Sequence, residues 1–204
     1  RYDRSRDRFD FFRIQNGDRN ANWAYCIEED ESGRMWVASY KGGLFVCDRK
    51  GMSVRHNLYD DGVGTNVYTI QNDGHGKMWA CTSDGLVSID INTMSVQRHG
   101  IDTYNILCQD RNVWYSISGR LYCYDIRTET SVEIPFSESC SQIYSFFKAN
   151  GNIWFTSSEG LFCIDPASSS VKSVSRTSDG YLCGLYDEQN NELLLGGEDC
   201  INCL

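Results

Sequence analysis

The chain has 204 residues, with 19 Lys and Arg against 28 Asp and Glu and a formal net charge of −9. That balance argues against a nucleic-acid partner, because neutralising phosphates needs a basic face. No run of 18 or more apolar residues exists to span a membrane, and the polar opening Arg1-Tyr2-Asp3-Arg4 does not read as a signal peptide.

Residues 8–12, Arg-Phe-Asp-Phe-Phe, alternate like a half-exposed strand, and the turn formers at 16–20 follow. A repeat then opens at Asn22-Trp23. Its strand Trp23–Ile27 leads through an Asp30-Glu31-Ser32-Gly33 turn into Met35-Trp36-Val37-Ala38. Gly42-Gly43 turns the chain into Leu44–Asp48, and Ser53–His56 closes the unit before the loop 59–65. The central hairpin returns at Asp73–Leu86, in shortened form at Asp110–Leu121, again at Asn150–Leu161, and in decayed form at Asp187–Gly197. Trp36, Trp79, Trp114, Trp154 and Leu194 mark the same position, and their residue numbers differ by 43, 35, 40 and 40. A period of about 40 with paired strands is that of a propeller blade.

The expected fold is therefore all-β, a β-propeller of about five four-stranded blades. It forms one domain over 1–204, with repeats at about 22–61, 62–100, 101–138, 139–176 and 177–204, the last completed by 1–21. One such blade cannot bury both of its faces alone, so neighbours stack. The repeat tryptophans then pack between blades. Gly43, Gly85, Gly119 and Gly160 supply positive φ at turns, and Asp30 and Asp73 bond backbone N–H groups of their own turns. Cys47, Cys123 and Cys163 recur at one strand position, as small apolar residues do, so most of the ten cysteines are expected reduced and buried. Cys200 and Cys203 have zinc-like spacing but no second pair and no nearby histidine, so no metal is expected.

No catalytic set is visible. His56, His75 and His99 are scattered, and neither a triad nor a phosphate loop occurs. Ligand binding by a propeller falls on the loops entering each first strand and those between second and third strands. The candidates are Trp23, Asn66 and Gln142 in the first set, and Tyr40, Lys41, Ser83, Asp84 and Glu159 in the second. Trp23 and Tyr40 can stack on a sugar ring while the polar residues bond hydroxyls.

The repeat, apolar-x-x-Ile-x-x-Asp-x-x-Gly-x-Met-Trp-Val/Ala-x-Thr/Ser-x-x-Gly-Leu-x-x-x-Asp, resembles the two-component regulator propeller repeat. That resemblance implies the periplasmic sensor region of a hybrid two-component system of the Bacteroidetes type, upstream of a histidine kinase, responding to glycan fragments and without activity of its own. Rings of that family usually use seven blades, so five repeats read as a fragment of a longer ring. The expected partner is an oligosaccharide or another small soluble signal, with homodimerisation a further expectation and no cofactor, nucleic acid or membrane contact. The alternatives are a propeller enzyme of the lyase type and a structural or dimerising spacer.

Overall fold

The computed structural model describes residues 2–16, 19–20, 23–136, 140–177 and 180–204. Gly17 and Asp18 of the expected first loop, Ala21, Asn22 at the expected opening of the first repeat, and the repeat boundary at 138/139 lie outside the described residues. The described secondary structure is β throughout, save one π-helical turn at Tyr59–Val63 within the expected loop 59–65. The chain divides into two compact units, Arg1–Asp102 and Thr103–Leu204.

The first unit begins with two short pairings, β1 (Tyr2–Asp3) with β2 (Arg8–Phe9) and β3 (Gln15–Asn16) with β4 (Arg19–Asn20). Blade one follows as β5 (Ala24–Glu29), β6 (Arg34–Ser39), β7 (Gly43–Asp48) and β8 (Val54–Asn57), antiparallel and in chain order. Blade two is β9 (Val67–Asn72), β10 (Lys77–Thr82), β11 (Gly85–Asp90) and β12 (Val96–Arg98). The strand period of two puts directly paired residues on one face. In blade one, one face therefore carries Trp36, Ala38, Leu44 and Val46, and these pack on Ile70, Met78, Ala80, Val87 and Ile89 of blade two. The opposite face of blade one, with Val37, Phe45 and Cys47, is covered by Ile14.

The second unit holds blade three, β13 (Ile106–Gln109), β14 (Asn112–Ile117), β15 (Arg120–Asp125) and β16 (Thr130–Ile134), and blade four, β17 (Ile143–Ala149), β18 (Asn152–Ser157), β19 (Gly160–Asp165) and β20 (Ser170–Arg176). A three-stranded sheet ends it: β21 (Cys183–Asp187), β22 (Glu192–Gly196) and β23 (Ile201–Cys203). The stacking rule repeats. The face of blade three bearing Leu107, Trp114 and Leu121 meets Ile153, Phe155, Phe162 and Ile164 of blade four. Phe147, Trp154 and Leu161 on the other face of blade four meet Leu193 and Leu195 of the fifth sheet. This contact is close enough that a Cβ on Gly184 would fall 2.3 Å from the Phe147 ring, so only glycine fits there. At Gly119 (φ +76°) a Cβ would lie 1.9 Å from the Cys140 carbonyl oxygen, which fixes glycine at that turn.

Candidate functional site

Each blade has two ends. At one, the first and second strands join; at the other, the second and third. The first end shows what the repeat aspartate does. The Asp30 side chain is wholly buried, and its Oδ1 accepts the backbone N–H groups of Ser32 and Arg34 at 2.9 and 3.0 Å. Its Oδ2 accepts Arg34 Nε and Trp36 Nε1, both at 2.7 Å. Burial pushes Asp30 up, but the indole, the Arg34 amide and the Arg34 guanidinium outweigh it and hold the carboxyl below its ordinary value. Asp73 repeats the design, taking the N–H groups of His75 and Lys77 at 2.8 and 3.0 Å and Trp79 Nε1 at 3.2 Å. The aspartate thus orders its turn and also anchors the indole six residues on.

The other end of the first unit carries most of the expected ligand residues. Ala24 pairs with Ser39 and Cys26 with Ala38, so a bulge in β5 leaves Tyr25 unpaired and re-aims it toward the loop. Trp23 lies edge-on to Tyr40 at 5.4 Å, Tyr25 edge-on to Tyr40 at 6.2 Å, and Tyr25 against Tyr68 at 6.0 Å. Trp23 is 72% exposed and Tyr25 57%. Trp23, Ala24, Tyr25 and Tyr40 line an open recess of about 430 Å³. The Lys41 ammonium sits 5.1 Å from the Tyr40 ring centre, a cation–π contact. Asn66 ties the two blades' loops: its Oδ1 accepts Lys41 N–H at 2.9 Å and its carbonyl accepts Ser83 N–H at 3.0 Å. The Asp84 carboxylate lies 3.9 Å from Arg98 Nη2. Six of the eight candidates, Trp23, Tyr40, Lys41, Asn66, Ser83 and Asp84, therefore belong to one loop system of the first unit.

The other two, Gln142 and Glu159, belong to the second unit and are tied into their own loops. Glu159 accepts Ser141 N–H at 3.2 Å and the Ser158 hydroxyl at 2.6 Å, and the Gln142 carbonyl accepts Ser158 N–H at 3.1 Å. Burial raises Glu159, and these donors more than offset it, holding the carboxyl below its ordinary value.

Tyr25 and Tyr68 complete the aromatic ledge without being among the candidates. The signal for them was the strand register. Tyr25, Tyr68, Tyr104 and Tyr144 each stand three residues before the partner of the repeat tryptophan, and the bulge in β5 recurs in β9 and β17 at Tyr68 and Tyr144.

None of the ten cysteines is in a disulfide. Burial pushes the Cys47 and Cys123 thiols up to about 11 and raises Cys26 and Cys163 as well, which keeps these sulfurs protonated and inert. Only Cys47, Cys81, Cys108 and Cys140 are buried, against the expectation for most of the ten; Cys26, Cys123 and Cys163 are half-buried at strand positions, and Cys183, Cys200 and Cys203 are exposed. Each histidine has a different setting: His56 Nε2 lies 2.8 Å from Asp61, His99 Nε2 lies 2.9 Å from Ser88 Oγ with its ring stacked on Trp79 at 4.6 Å, and the His75 amide binds Asp73. Among the described residues, no group of three or more His, Cys, Asp or Glu is placed to hold a metal.

Stacked four-stranded antiparallel blades of one repeat define the class, a β-propeller. Residues 18–41, spanning the Asp30–Trp36 turn and reaching Tyr40-Lys41, match the family model described as Two component regulator propeller. No curated protein matches the chain in sequence. In structure it is similar to the extracellular domain assigned to the hybrid two component system BT4673 of B. thetaiotaomicron, at 22% identity and TM-score 0.84 over 99% of this chain and 30% of that one. The corresponding domain assigned to BT3049 of the same organism matches at 17% identity and TM-score 0.75, again over 99% and 30%. A more distant likeness is the β-propeller domain of Cps50 (Swd1) of Myceliophteria thermophila, at 12% identity and TM-score 0.70 over 94% and 67%. The chain spans 30% of the length of the two B. thetaiotaomicron chains.

Proposed function

We propose that the chain is a signal-sensing module of a hybrid two-component regulator, placed in the periplasm, which binds a soluble oligosaccharide and has no catalytic activity of its own. The observation that carries this reading is the ledge of Trp23, Tyr25, Tyr40 and Tyr68, left open to solvent beside Lys41 and Asn66. Flat aromatic faces present apolar area to the C–H face of a sugar ring, and adjacent amide and ammonium groups bond its hydroxyls. The match of residues 18–41 to the regulator propeller and the likeness to extracellular domains of such systems support the sensor role.

The test is a melting-temperature screen of the chain against neutral and charged oligosaccharides. A true ligand at one hundred times its Kd stabilises the folded state by about 2.7 kcal/mol. The same sugar should leave Tyr40→Ala unshifted. Release of a cleaved product during incubation would sink the non-catalytic part of the reading, and a shift that survives in Tyr40→Ala would move the site elsewhere.

A further inference from the structure

The turn that carries Tyr40 and Lys41 is unlike its counterparts. In the other four-stranded sheets, two residues join the second and third strands. They are Ser83-Asp84 between the paired Thr82 and Gly85, Ser118-Gly119 between Ile117 and Arg120, and Ser158-Glu159 between Ser157 and Gly160. In blade one Ser39 pairs with Gly43, so three residues make the join: Tyr40, Lys41 and Gly42. The charge reverses as well. Blades two and four place an acid, Asp84 or Glu159, just before the turn glycine, and blade one places Lys41 there.

The backbone holds that lysine in place. Its φ is +63°, a left-handed conformation that residues with a side chain resist. The bond from its N–H to Asn66 Oδ1, on the loop entering blade two, fixes the turn there. The ammonium then stands 5.1 Å from the Tyr40 ring centre. An ammonium has three donors, and the ring covers one side of it. Lys41 is exposed, and no carboxylate of the described residues forms an ion pair with it. The acids at the equivalent turns are matched: Asp84 lies 3.9 Å from Arg98, and Glu159 takes the Ser141 amide and the Ser158 hydroxyl. Both walls of this seam come from within the first unit, one from blade one and the other from the Asn66 and Ser83-Asp84 loops of blade two. The unmatched cation is therefore a property of two packed neighbours.

We infer that Lys41 sets the specificity of the ledge and that the ligand is an acidic oligosaccharide, which places anionic oxygens on the ammonium while a sugar face stacks on the rings. The inference rests on the reading of the ledge as an oligosaccharide site. A net charge of −9 repels anions in general, so selection for one has to be local, and the ammonium beside the rings is the local cation. Stacking on Trp23, Tyr25 and Tyr40 carries no preference for charge. A hydrogen bond from an ammonium to an anionic oxygen is roughly twice as strong as one between neutral groups, so the rings supply affinity and Lys41 supplies the choice. A uronate carboxylate and a sulfate ester present the same chemistry.

The test is calorimetric titration of the chain with matched oligosaccharides. One arm sets uronate-containing oligomers against the same oligomers with every carboxyl methyl-esterified, which keeps the rings and removes the charge. A second arm sets sulfated galactan oligomers against their desulfated forms, so the arm that responds names the source of the anion. An acidic oligomer should bind roughly tenfold more tightly than its neutral match. Lys41→Met keeps the stem and loses the charge, and should bring the pair to one Kd. Lys41→Arg should keep the preference. If Lys41→Met misfolds by circular dichroism, the matched pairs on the unaltered chain decide alone. Neutral oligomers that bind as tightly as their acidic matches would overturn this inference and leave the oligosaccharide reading standing. A preference that survives in Lys41→Met would remove the role given to Lys41. Absence of binding by every oligomer, acidic and neutral, would overturn both.

Discussion

The same hairpin recurs in both units of this molecule and is used differently. In the first unit, Asp30 and Asp73 each stand six residues before a tryptophan and bond its indole. In the second, a two-residue turn shortens the hairpin. Gln109 pairs with Asn112 and Ala149 with Asn152, and the polar turn residue falls only four positions ahead. Trp154 Nε1 finds the Ala149 carbonyl at 3.2 Å, and Trp114 Nε1 is buried with no partner among the described residues. The opposite ends differ too. Tyr40-Lys41 leaves its aromatic and cation to solvent, while the equivalent Ser158-Glu159 is consumed by bonds within its own loops. A repeat can therefore fix its fold with one subset of positions and leave the rest free to become, in one blade and not another, a surface for a ligand.

The largest effect should come from the element both units share. Trp79 is fully buried, so Trp79→Ala should cost about 3–5 kcal/mol in denaturant unfolding, and Trp114→Ala should cost about as much. The aspartates separate the units. Asp30→Ala strips a partly buried guanidinium and a buried indole of their acceptor and should cost about 3 kcal/mol. Asp110→Ala, at an exposed turn held at φ 49°, should cost only about 1 kcal/mol, the penalty of a left-handed alanine. Equal losses at the two sites would break the comparison.

Acid should reach the same turn. The Asp30 carboxyl is held lower in the folded chain than its unfolded value of about 3.9. Its contribution is therefore complete above about pH 4 and is lost as the pH falls through the lower folded value. Asp30→Asn should flatten the acid limb of a stability-against-pH curve measured by denaturant midpoint. An unchanged limb would mean that the carboxylate is not held by these bonds.

A subtler pair follows. Trp36→Phe leaves Asp30 short of one donor and should cost about 1–2 kcal/mol. Trp114→Phe removes a buried donor without a partner and should be close to neutral or stabilising. Thermal melts of the two variants side by side read the difference. Smallest of all, Tyr40→Ala should change stability by only about 0.5–1 kcal/mol while removing the oligosaccharide response, and Glu159→Gln should leave that response intact.

Much of this was legible in the residues, because a repeat is self-annotating. The tryptophan spacing gave the blades, and the glycines of the hairpins gave their turns. The role of Asp30 was half legible. Its bonds to its own turn follow from local chemistry, but the bond to Trp36 depends on how far the hairpin bends back, and only the six-residue spacing hinted at it. The aromatic ledge was less legible still. A β-bulge shifts which residue points to the loop, and no local propensity announces the bulge that re-aims Tyr25. Thiol burial was less legible than thiol position, because a strand pattern places a cysteine on a face without showing how deeply that face is covered: Cys47 is buried and the equivalent Cys123 and Cys163 are half-buried.

The proposed binding site is the open aromatic end of the first unit. Of the five tryptophans, Trp36, Trp79 and Trp114 are at most 1% exposed, Trp154 is partly buried, and Trp23 alone stands 72% in solvent. Acrylamide quenching of tryptophan fluorescence therefore isolates Trp23, with Trp23→Phe as the blank. An oligosaccharide that shifts the melting temperature should also suppress the quenchable component, and both effects should weaken together in Tyr40→Ala. A sugar that stabilises the chain while Trp23 remains as quenchable as before would contradict the assignment.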